Sequence, residues 1–168
     1  MRDAFNDAIN APPGRLAEIL LRKVPEGGVE LPGTLLARFD RLVDAPGKPG
    51  LLARVRLAAD VSFLFARAPS WTRNKLLPHF EWSSPDAADI WSARKYSTVI
   101  GSPELFGLMK KPFLELFGRK DIAAEDLDTF AEWLAGHPDR QPSGRYRVSA
   151  DTHRSALRAP ARRRKSAF

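Results

Sequence analysis

The prolines and glycines of this chain stand mostly between runs in which apolar residues return every third or fourth position, and this alternation restricts the fold more than any other feature. Spacings of three and four place side chains on one helix face, while proline lacks the amide hydrogen that a continuing helix needs. Residues 11–24, "APPGRLAEILLRKV", set Leu16, Ile19, Leu20 and Val24 near one face, with prolines at the entry and "PEGG" as the stop. Residues 31–44 repeat the design, with Leu35, Leu36, Phe39, Leu42 and Val43 on one side and Arg38, Asp40 and Arg41 opposite. "APGKPG" is the next break, and residues 51–68 then predict one central helix of about five turns through Leu52, Val55, Ala59, Ser62 or Phe63, and Ala66.

Further along, Ser70 is the expected cap of a short helix that Pro78 ends, because the residue before a proline resists helical angles. Ser84 is the expected cap of the next, with Pro85 at its first position and Asp86 and Asp89 near its positive end. Ser102 and Pro103 open a run with Leu105, Phe106, Met109, Phe113, Leu116 and Phe117 on one face, which Pro112 should kink or divide. The last run places Leu127, Phe130, Ala131 and Leu134 together and stops at Gly136; the acids between Asp121 and Glu132 form a solvated face. No alternating stretch of strand type exceeds a few residues, and "YRV" around Tyr146 is too brief to count. The expected fold is therefore all-α: an irregular bundle or array of about six or seven helices over residues 1–136. A basic tail, residues 137–168, should be flexible with at most one short helix. The helix spacings are too irregular for a repeat protein.

At 168 residues with 43% apolar content, the chain has enough material for one core, which excludes disorder throughout. It contains no cysteine, so disulfides, thiolate metal sites and a cysteine nucleophile are excluded together. Apolar runs fall far short of the roughly 20 residues that cross a bilayer, and "MRDAFNDAIN" has no uninterrupted signal-peptide core. A cytoplasmic protein without a membrane partner is the expectation.

The net charge of +7 sits entirely in the tail: from His137 onward there are nine Lys/Arg and two acids, leaving eighteen of each sign before it. Within the closing "ARRRKSAF", Arg162, Arg163, Arg164 and Lys165 are the candidate nucleic-acid-binding residues, since such a run can neutralise phosphates. A charge run alone lacks specificity, and a plain flexible end or an out-of-frame ending is the favoured reading.

Motifs for chemistry are few. "HFE" at residues 79–81 matches half of a zinc-deaminase signature, but the two further thiolates are missing. "HPD" at residues 137–139 follows an acidic helix, the reverse of its charge setting in J-domain co-chaperones. The glycines form turns without a phosphate-cradling pattern, and the histidines at 79, 137 and 153 lack metal-ligand spacing. There is no Gly-x-Ser-x-Gly elbow. No catalytic residue, metal ligand or cofactor is expected, and the chain is read as a non-enzyme. Three of the four tryptophans fall in residues 71–91, "WTRNKLLPHFEWSSPDAADIW". With Arg73, Lys75, Arg94 and Lys95 they could stack on single-stranded nucleic acid, but their apolar flanks favour a joint between packed helices.

"AINAPPGRLAEILL" together with that tryptophan segment resembles the helical C-terminal region of large bacterial proteins, several of which carry a sirtuin-like NAD-consuming domain and are associated with phage defence. The matching residues are Ala8, Ile9, Asn10, Gly14, Arg15, Leu16 and Glu18, then Trp71, Leu76, Leu77, Pro78, Phe80, Trp82 and Trp91. The likeness covers most of residues 1–136. It implies a regulatory or sensing module that contacts protein, the remainder of a larger defence protein included, here as a truncated or stand-alone piece. Nothing in the chain resembles a sirtuin NAD site, so NAD hydrolysis is not carried over. The alternative is a helical nucleic-acid binder that uses the Arg-rich tail.

Overall fold

The computed structural model describes residues 3–25, 31–97 and 101–135, and among them it is all-helical, with nine helices and no strand. They are α1 (Ala4–Asn10), α2 (Pro12–Arg22), α3 (Gly33–Val43), α4 (Gly47–Ala59), α5 (Val61–Arg67), α6 (Pro69–Trp71), α7 (Ala87–Arg94), α8 (Pro103–Glu115) and α9 (Ala124–Ala135). The expected stop at Gly136 and the tail calls, including Arg162, Arg163, Arg164 and Lys165, lie outside the described residues.

Two helices more than expected have separate causes. The first is α1, which sequence periodicity did not mark because it is only seven residues long. The Asp3 carboxylate starts it by accepting the Phe5 and Asn6 amides at 3.0 and 3.3 Å. It ends at Ala11, whose extended backbone is what a following proline prefers. The chain turns directly into α2, and Gly14 lies so close to α1 that a Cβ there would fall 1.9 Å from the Ala8 carbonyl oxygen. Gly14→Ala is expected to lower stability by about 1–3 kcal/mol, read as a drop in the midpoint of a denaturant titration.

The second extra helix comes from a break in the expected central helix at Asp60, where φ is −107° and ψ 21°. There the last carbonyl of α4, on Ala59, accepts the Ser97 hydroxyl at 2.8 Å and an Arg94 Nη1 hydrogen bond at 3.3 Å. Side chains from the end of α7 thus satisfy the helix terminus that the next helical turn would have used. Asp60 itself pairs with Arg56. The centrality expected of this segment holds for α4, which packs against α1, α2, α3 and α7 and buries Leu52, Val55, Leu57 and Ala58. It begins earlier than expected, at Gly47, whose φ of 62° starts the turn, so "KPG" belongs to its first turn rather than to the break.

The helix faces follow the sequence in part. In α3, Leu35, Phe39 and Val43 are buried while Arg38 and Arg41 are exposed. In α2 the face is rotated from expectation: Gly14, Ala17, Leu20 and Leu21 are buried, while Leu16 and Ile19 remain 50% and 49% exposed. Gly14 and Ala17 explain this, since small residues let the helix backbone come close to its neighbours. In α8, Ser102 caps as expected, its hydroxyl accepting the Leu105 amide at 3.2 Å. Pro112 neither divides α8 nor stands at its edge; it is buried within a single helix.

The segment between α6 and α7 departs most from expectation. Its helix starts at Pro69, after Ala68, and Ser70 is an exposed residue of the first turn rather than the cap. The chain then widens into a π-helix at Thr72–Leu76, closed by the Leu77 amide on the Thr72 carbonyl, and tightens into a 3-10 turn at Leu77–Phe80 that contains Pro78. A proline at 78 would clash with the Asn74 carbonyl in a continuing α-helix, and this change of winding relieves that conflict. α7 starts at Ala87, later than expected: Ser84 accepts the Asp86 amide at 3.3 Å, and Pro85 remains in the turn.

Candidate interaction surface

The tryptophan segment is a joint. Trp71 donates its indole N–H to Asp40 Oδ1 of α3 at 2.8 Å and tilts against Phe39. Trp82 donates to the Pro112 carbonyl of α8 at 2.8 Å, and the Arg119 guanidinium lies 4.4 Å from the centre of its ring. Trp91 is 1% exposed, donates to the Phe80 carbonyl at 2.9 Å, and meets the rings of Phe80, Phe113 and Phe130. Three indoles therefore tie the segment to three different parts of the body. The cations interleaved with them are engaged too: Arg73 with Glu104 at 3.1 Å, Lys75 with Asp44 at 2.9 Å, and Lys95 with Asp126 at 2.8 Å. Arg94 is 1% exposed, bonded to the Ala59 carbonyl and to Ser97, and burial pushes its pKa down to about 10. It stays cationic at neutral pH and lies over the Trp133 ring.

Buried charge is what sequence reasoning missed. Arg54, within the apolar run of α4, donates to Asp86 Oδ2 at 2.7 Å and to the carbonyls of Val43 at 2.7 Å and Ala45 at 3.1 Å. One guanidinium thus ties α4 to the start of α7, to the end of α3 and to the turn that follows it. Asp86, expected to serve the positive end of its own helix, is turned to this arginine instead. Asp126 corrects the reading of the α9 acids as wholly solvated. It is 2% exposed and accepts from Ser92 at 2.9 Å as well as from Lys95. The one available signal was the position of Asp126 beside Leu127 and Phe130 on the inward side of the helix.

His79 is half-buried, and its pKa lies below the ordinary imidazole value, first through burial and then through the nearby Arg54 charge. Among the described residues no group of three or more His, Asp or Glu could hold a metal ion.

Asp3 also joins distant parts of the chain, accepting the Tyr96 hydroxyl while Phe5 stacks on the Tyr96 ring at 4.5 Å. Burial alone would raise its pKa, but the hydrogen bonds from Tyr96, Asn6 and Phe5, with Lys95 nearby, hold it below 3.8. A carboxyl lowered by folding stabilises the native state above its unfolded pKa and loses that effect as pH falls through the folded value. Asp3→Ala is therefore expected to lower the melting temperature at pH about 6, with the difference from the parent shrinking towards pH about 2.

The residues carrying the resemblance divide by role. Gly14, Trp82 and Trp91 hold helices together, as does Trp71 through Asp40. Asn10 bonds back to the Asn6 carbonyl at 2.8 Å at the exposed end of α1, and Pro78 lies exposed in its 3-10 turn. Arg15 and Leu16 face outward, and with Ile19 one turn on they make a half-exposed ridge along α2. Other large exposed apolar residues are Leu108 and Leu114 of α8, Phe117 after it, and Leu134 of α9.

Set against protein-family models, curated proteins and solved structures, the chain finds no match. No described helix is long and apolar enough to cross a membrane.

Proposed function

We propose that this protein is a non-catalytic helical scaffold or interaction module, by its resemblance a regulatory or sensing region of a cytoplasmic anti-phage defence protein in bacteria. The observation that carries this reading is the α2 ridge. Leu16 and Ile19 sit in a stretch that also carries the resemblance, yet half of each side chain faces outward while Gly14, Ala17, Leu20 and Leu21 make the internal contacts. A helix that already has a buried face and still keeps two large apolar side chains half outside is equipped to meet another protein.

The competing reading is phosphate binding by Arg162, Arg163, Arg164 and Lys165, favoured by the placement of the whole charge excess in the tail. Titrating the full chain with a single-stranded oligonucleotide at several salt concentrations separates the two. The scaffold reading predicts weak binding that is unchanged when those four residues become alanine. Binding that falls steeply with salt, and is lost in the fourfold variant, would replace it with the nucleic-acid reading.

A further inference from the structure

Two helices on different parts of the body carry complementary outward faces. On α2, Leu16 and Ile19 are bordered by exposed Arg15, Arg22 and Lys23; of these, Arg22 is paired with Glu18 at 2.5 Å, while Arg15 and Lys23 have no ion-pair partner among the described residues. On α9, Glu125, Asp128 and Glu132 recur at helical spacing, all exposed and without an ion-pair partner among the described residues. Exposed Ala131 and Leu134, the latter 48% accessible, lie beside them. α2 packs on α1, α3 and α4, whereas α9 is held to α7 through Ser92 and Lys95 and to α8 through Phe130 against Phe113.

We propose that the chain associates with a second copy of itself, the α2 ridge of one copy seated on the outer face of α9 in the other. Leu16 and Ile19 meet Ala131 and Leu134, and the three cations meet the three carboxylates. Each copy offers both surfaces, so the contact either closes as a two-fold dimer in which both α2–α9 pairs form at once or continues into a ring or a filament, and the limiting mass at high concentration tells which. The proposal rests on the scaffold reading and names the partner. It also distinguishes α9's occupant from the chain's own basic tail, because only a second copy makes the association depend on α2.

The test uses the full chain in sedimentation velocity over a range of concentrations. One variant carries Arg15→Glu, Arg22→Glu and Lys23→Glu; the other carries Glu125→Lys, Asp128→Lys and Glu132→Lys. All six positions are exposed, so each variant should keep its helical melt, which circular dichroism checks. The expected result is a parent mass that rises above 18.7 kDa with concentration and falls back with salt. Each variant alone should associate at least about tenfold more weakly, and an equimolar mixture of the two should recover the association, because acidic α2 then faces basic α9. A parent that keeps the monomer mass throughout, or variants that associate like the parent, or a mixture that recovers nothing, overturns the proposal. A cooperative melt beside a constant monomer mass removes the self-association alone, whereas a melt without cooperativity removes the module reading with it.

Discussion

Replacing Trp91 with alanine is expected to destabilise the fold by about 4 kcal/mol, a large part of the stability of a domain this size. The side chain is 1% exposed, so its removal leaves a cavity between α7, α8, α9 and the 3-10 turn, lined by Phe80, Phe113 and Phe130. It also leaves the Phe80 carbonyl without the indole that donates to it. Trp91→Phe keeps most of the ring contact and should cost clearly less. Chemical denaturation followed by circular dichroism gives both values, and equal, small losses would mean that the aromatic cluster does not hold these helices together.

Arg54→Met should cost about 3 kcal/mol for a different reason. Its apolar stem is replaced with little loss of volume, but Asp86 keeps its charge with only 15% of its side chain exposed, and the Val43 and Ala45 carbonyls lose their donor. Asp86→Asn in the same background should recover part of the loss, since the stranded charge is then gone. A double variant whose loss equals the sum of the two singles would show that the pair does not act as a unit.

Helical class, the approximate order of the helices and the Pro/Gly breaks were legible because they depend on local rules: apolar period, caps and the missing amide of proline. Ser102 is a case in which the cap fell at its expected place. The failures occur where a distant group decides the outcome. Ala59 ends α4 because Arg94 and Ser97 reach its carbonyl from residues more than thirty positions away, which no local window contains. The burial of Asp126 depends in the same way on Ser92 and Lys95. The α2 face was misread because Leu16, Ile19, Leu20 and Leu21 spread over more than half of the helix circumference, so the period alone could not choose a side. Packing chose the side that carries Gly14 and Ala17 beside Leu20 and Leu21. That choice leaves Leu16 and Ile19 outside, so the proposed interaction surface was visible only once the packing was known.

The central claim is that the tryptophan segment knits the described helices into a module that folds without the tail. A thermal melt by circular dichroism, on the full chain beside a version ending at Gly136, tests this most directly. The account predicts a strongly helical signal and one cooperative transition shared by both. A broad or absent transition in either would contradict it and place the stability of these helices in contacts beyond the body described.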